Sequence, residues 1–133
     1  MSIMKTTDIG HITISDELIS DILYETEDLD ACRGKLWISS PNGTVGARRL
    51  GLVRKPDLKV SLDAENRIHL SFHVVMLFGT SIRLCTHAAA DYIAKTIEEL
   101  FGTPPAKITI NIAGVKSKHV VKRSTKVEYV YEA

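Results

Sequence analysis

Between Ile68 and Val115 the spacing of apolar residues changes twice, from every second position to every third or fourth and back again. Ile68, Leu70, Phe72, Val74, Met76 and Phe78 fall on one face of a strand, because successive strand side chains point opposite ways. The other face begins polar with His69, Ser71 and His73 and ends apolar with Val75 and Leu77. One face is therefore expected to be buried throughout and the other only towards the end. Gly79 permits a tight turn, and Thr80 or Ser81 can cap the helix that follows. Along that helix Ile82, Cys85, Ala89, Ile93, Ile97 and Leu100 form one apolar stripe. Arg83, His87, Asp91 and Lys95 step by four on another face with alternating sign, which suits a solvated surface. Gly102 fits the left-handed position past a helix end, and Pro104-Pro105 prevents continuation. Ile108, Ile110 and Ile112 then alternate with Thr109 and Asn111, the pattern of a half-buried strand.

The remaining elements are shorter. Residues 1–9 carry no clear pattern and are expected to be loose. His11 to Ser15 predicts a strand with Ile12 and Ile14 facing in, and Ser15 can cap a helix running to about Leu29. Its apolar strip is narrow: Leu18, Ile19, Ile22 and Leu23. The rest is acidic, with Asp16, Glu17, Asp21, Glu25, Glu27, Asp28 and Asp30 and no basic residue among them. Such a face is either solvated or a docking surface for a basic partner. Lys35 to Ser40 predicts a short strand, on which Trp37 either packs at a core edge or marks a binding site. Pro41 to Pro56 reads as a loop that gathers Arg48, Arg49, Arg54 and Lys55 with no acid until Asp57. That loop is either solvated or a contact for nucleic acid, anionic headgroups or the acidic helix of a second copy. Leu58, Val60 and Leu62 start a hairpin over 58–78 that turns at Asp63 to Arg67. Beyond Val115 a basic run (Lys116, Lys118, His119, Lys122, Arg123 and Lys126) leads into VEYVYEA, which is either an edge strand, of its own sheet or a neighbour's, or a loose end.

This order predicts an α+β fold in two layers: one mostly antiparallel sheet with two helices packed on one face, in strand-helix-strand-strand-helix-strand order. A chain of 133 residues is expected to form a single domain, its core over about 10–115 and its tail over 116–133. At 44% hydrophobic residues it can bury a core without metal or disulfide staples. A net charge of +1 points to no partner by bulk electrostatics. MSIMKTTDIG lacks an apolar run, and no segment reaches the roughly 20 apolar residues of a membrane helix, so a cytoplasmic protein is expected.

Candidate chemistry is sparse. Cys85 and His87 stand two apart on a helix and so point different ways, which leaves no nucleophile with its base. His69 and His73 lie about 13 Å apart by strand rise, too far to share a metal, although His11 could approach either within a sheet. Cys32 and Cys85 show no spacing motif; Cys85 reads as a small buried hydrophobe and no structural disulfide is expected. Gly79-Thr80-Ser81 lacks the lysine and spacing of a phosphate-binding loop. No catalytic residue, metal ligand, cofactor or small-molecule substrate is therefore assigned. The residues left as interaction candidates are Arg48, Arg49, Arg54, Lys55 and Trp37. The arginines and lysine of the loop lack aromatic neighbours, whereas Tyr129 and Tyr131 do lie near Lys126 in the tail.

Three stretches carry a family resemblance. GHITISDELISDIL is similar to the G-x-[IV]-x-I-[ST]-x-x-[VL]-I opening of the alkaline shock proteins, the envelope stress response proteins of Gram-positive bacteria. LKVSLDAENRIHLSFHVVMLFGTSI resembles that family's strand, acidic turn and apolar strand ending in glycine, and ITINIAGV its closing strand. Together these span residues 10–31 and 57–115. The chain departs from the pattern at Ala31 to Lys35, where the family has Gly-Val, and at Leu77-Phe78 before the strand-end glycine. The resemblance implies a non-enzymatic cytoplasmic protein of envelope homeostasis, self-associating or held at the inner face of the membrane by an anchored partner. The alternative is a small nucleic-acid-binding module using loop 48–55 and the basic tail.

Overall fold

The computed structural model describes residues 2–7, 10–43, 58–117 and 120–132. Strands β1 (Ser2–Thr7) and β2 (Gly10–Ser15) come first, followed by helix α1 (Asp16–Glu25) with a single 3-10 turn, Thr26–Asp28. Strands β3 (Leu36–Ser39), β4 (Leu58–Leu62) and β5 (Ile68–Leu77) precede helix α2 (Ile82–Phe101), and β6 (Lys107–Lys116) and β7 (Val120–Val130) close the chain. The fold is α+β, as the pattern of apolar positions predicts.

β5 is the axis of a five-stranded sheet. One edge of it is shared end to end: β4 pairs with Ile68 to Phe72 and β3 with His73 to Met76, both antiparallel. β6 lies on its other side, parallel, and β7 runs antiparallel to β6. The parallel pair follows from α2, since a parallel neighbour needs a crossover long enough to hold a helix. Ile68, Leu70, Phe72, Val74 and Met76 are all 2% exposed or less. They form one core with Ile19, Ile22 and Leu23 of α1, Cys85, Ala89, Ile93 and Ile97 of α2, and Ile108, Ile110 and Ile112 of β6. The opposite face of β5 grades from half-buried His69, Ser71 and His73 to buried Val75, but Leu77, expected to be buried beyond it, is exposed at the strand's end.

Several local features differ from the sequence expectations, and one left open by them is decided. Residues 2–7, expected to be loose, form β1, which pairs with β2 in register from Ser2↔Ser15 to Thr7↔Gly10. SIMKTT is short, but its Ile and Thr residues favour extended backbone, and the hairpin gives each strand a hydrogen-bonding partner. β2 is thereby used in a two-stranded ribbon outside the five-stranded sheet, so the backbone of His11 is paired with Thr6 and not with the strand of His69 and His73. The α-helical part of the first helix stops at Glu25, before the expected Leu29. Thr26 Oγ1 donates to the Leu23 carbonyl at 2.6 Å, and Glu25, Glu27 and Asp28 crowd negative charge at the negative end of the helix dipole. The tail, read from the sequence as either an edge strand or a loose end, is an edge strand of its own sheet: β7, laid on β6 from Lys107↔Val130 to Lys116↔Val120.

The turns obey simple chemistry. In the β4–β5 turn Asp63 Oδ1 accepts from the backbone N–H groups of Glu65 (2.9 Å) and Arg67 (3.0 Å), and Asn66 takes φ +64°. The Arg67 N–H, and then the His69 ring, hold the Asp63 carboxyl below its ordinary pKa. At the start of α2 the Ser81 hydroxyl accepts from the Leu84 N–H at 3.3 Å. At its end Gly102, at φ +82°, donates to the Glu98 carbonyl at 2.8 Å. Ser81→Ala is expected to cost about 1 kcal/mol of unfolding free energy, measured by urea denaturation; no loss would mean that the cap bond contributes nothing to α2.

Candidate interaction site

Trp37 is the one interaction candidate from the sequence whose side chain falls within the described residues. Arg48, Arg49, Arg54 and Lys55 lie outside them. Trp37 sits on β3 opposite Val75, on the face of the sheet away from the helices, and is half-buried. The Lys116 ammonium stands 4.8 Å from the centre of its ring. That contact, worth about 0.5–1 kcal/mol at an exposed site, joins β3 to the end of β6 across β5. The same end of the sheet carries exposed apolar side chains: Leu77, and then Phe78 and Leu84, both more than 70% exposed. Phe78 follows β5, and Leu84 is in the first turn of α2. Trp37 thus shares the Val75 and Leu77 face of the sheet and carries one cation over its ring. No sequence signal links Trp37 to Lys116, because the contact depends on the strand order.

Most of the acidic series on and after α1 stays on the surface, but Glu27 is half-buried and accepts the Ile38 N–H of β3 at 2.9 Å. Glu17, Asp21, Glu25, Asp28 and Asp30 are all exposed. The nearest following cation, Arg33, donates from Nη2 to the backbone carbonyl of Asp28. Glu25 accepts a hydrogen bond from the Tyr92 hydroxyl on α2, which ties the two helices together.

On the face away from the helices, His69 Nε2 meets Asp63 Oδ2 at 3.1 Å, and Asn111 Nδ2 donates to Ser71 Oγ and to the Phe72 carbonyl, each at 3.0 Å. The alternating series on α2 resolves into a Lys95–Asp91 ion pair at 3.0 Å. His87 instead meets Tyr129 edge to face, with ring centres 5.9 Å apart. Tyr129 also shares a 2.7 Å hydrogen bond with Thr86. Burial, reinforced by Asp91, pushes the Tyr131 hydroxyl up to about 12. Tyr129 is thus engaged with α2, and both tail tyrosines pack, half-buried, against the core.

The two cysteines, 53 residues apart, come together in the core with Sγ atoms at 3.4 Å, both as free thiols. Cys85 is buried as its place on the apolar stripe predicts; the meeting with Cys32 could not be read from spacing. The hydrogen bond with Cys85, together with burial, pushes the Cys32 thiol up, which suppresses the nucleophilic thiolate. A thiol-specific aromatic disulfide reagent is expected to label neither cysteine in the native protein and both in denaturant. Prompt native labelling would show that this part of the core opens readily.

Among the described residues no group of three His, Cys, Asp or Glu side chains is placed to hold a metal ion, and no helix is long and apolar enough to cross a membrane. No family model, curated protein or solved structure matches the chain.

Proposed function

We propose that this is a non-enzymatic structural or adaptor protein of the alkaline shock type. It acts in cell-envelope stress homeostasis from the cytoplasm, through self-association or a membrane-anchored partner. The observation that carries this reading is the exposed acidic surface from Glu17 to Asp30, in a segment without a basic residue. Glu25 and Glu27 have structural bonds, to the Tyr92 hydroxyl and the Ile38 N–H, but Glu17, Asp21 and Asp30 are exposed as well, and Asp28 adds exposed charge at the negative end of the helix dipole, where such a charge costs about 0.3–1 kcal/mol. A cationic partner turns that cost into binding energy. The sequence supplies a basic stretch of its own in Arg48, Arg49, Arg54 and Lys55, so contact between the acidic helix of one copy and that stretch of the next gives a head-to-tail assembly. The order and spacing of the three family-like stretches support the same reading.

Charge reversal tests it. Glu17→Lys combined with Asp21→Lys alters two exposed positions that are not part of the core. The double variant is expected to keep the native circular dichroism and to lose mass in light scattering at low salt. A native-like mass would contradict charge-driven docking through α1.

A further inference from the structure

β7 is the outer strand of the sheet, and among the described residues it pairs only with β6. It is 11 residues long, the longest strand present. The Tyr131 N–H donates to the Ala106 carbonyl at 3.0 Å, which fixes the phase of the ladder. Residues in step with Tyr131, namely Tyr129 and Val127, turn their backbone groups to β6. Lys126, Glu128 and Val130 turn theirs outward. Among the described residues Val130 is the most exposed of the large apolar side chains, at 75%.

We propose that this edge pairs with the same edge of a second copy, antiparallel about a two-fold axis at Val127. The inference rests on the self-association part of the reading above and names one contact of it. Two-fold pairing sets outward residue against outward residue, so few registers are open, and charge separates them. An axis at Lys126 would set lysine against lysine, and one at Glu128 glutamate against glutamate. An axis at Thr125 runs the ladder through the irregularity that lies opposite Ile112 to Gly114. An axis at Tyr129 leaves Glu128 facing Val130. With the axis at Val127, Lys126 faces Glu128 of the second copy and Glu128 faces its Lys126. Within one chain Lys126 already lies 3.1 Å from Glu128, and Lys107 lies 3.7 Å from it. The four central side chains then alternate in sign across the axis. A strand edge that resists pairing carries charge of one sign, which meets itself across such an axis. This edge instead carries a lysine and a glutamate on either side of Val127, a spacing that is self-complementary about that residue, and the pairing continues the sheet into a second copy.

The test is a charge-swapped pair of full-length chains, followed by sedimentation velocity over a concentration series. Lys126→Glu makes both central positions acidic, and Glu128→Lys makes both basic. Each variant alone is expected to dimerise at least about tenfold more weakly than the native chain. An equimolar mixture is expected to recover the dimer, which a merely destabilised strand would not do. Native-like dimerisation of either variant alone, or no recovery in the mixture, would overturn the inference while leaving docking through α1 in place. A native chain that stays monomeric at every concentration and salt would overturn both the inference and self-association.

Discussion

Phe72→Ala is expected to cost about 3–5 kcal/mol of unfolding free energy, much of the total for a domain of this size. Phe72 is fully buried at the centre of β5, opposite Leu58 on one side and Ile110 on the other. It faces the core shared by both helices. Truncation there removes apolar contact from several elements at once, and a pleated sheet held by neighbours on both sides collapses little to fill the space. Chemical denaturation monitored by Trp37 fluorescence would measure the loss. A cost near that of an exposed truncation would mean that β5 is not the structural centre.

Arg67→Met is expected to cost about 2–3 kcal/mol, although Arg67 looks in the sequence like an ordinary turn residue. Its Nη2 donates to the Pro105 carbonyl at 2.9 Å and to the Tyr131 carbonyl at 2.8 Å. The first acceptor leads into β6 and the second follows β7, so one guanidinium fastens the β4–β5 turn to the far side of the sheet. Methionine keeps the aliphatic stem and leaves both carbonyls without their charged donor. Amide hydrogen exchange should report the loss locally, with faster exchange of the Tyr131 N–H that bonds Ala106. Unchanged exchange at that amide would show that the C-terminal end of β7 holds without Arg67.

The parts of the fold that were legible in the sequence are those whose periodicity is set by burial. β5 buries one face from Ile68 to Met76 and α2 one stripe from Cys85 to Ile97, so alternation in one and the apolar stripe in the other mark them, and Ser81 and Gly102 mark the ends of α2; Phe78 and Leu100, expected to extend those faces, lie at their ends and are exposed. β7 was ambiguous because its outer edge is solvated, so Lys126, Glu128 and Val130 look like a tail until β6 is placed beside them. β1 was missed because SIMKTT is short and its strand partner is β2, outside the five-stranded sheet. The contacts of Trp37 with Lys116 and of Cys32 with Cys85 were not legible either. Both join segments whose proximity comes from strand order and helix packing, and no local spacing encodes that. The acidic surface of α1, by contrast, is a sequence pattern that folding leaves exposed.

Charge-driven assembly is the central claim, and light scattering on the native chain tests it most directly, over a concentration series at low and at high salt. Exposed charges separated by more than about 8–10 Å are screened at physiological ionic strength and above. The account predicts a mass that grows with concentration at low salt and falls as salt is raised. A mass equal to that of one chain under every condition, or an assembly indifferent to salt, would contradict it.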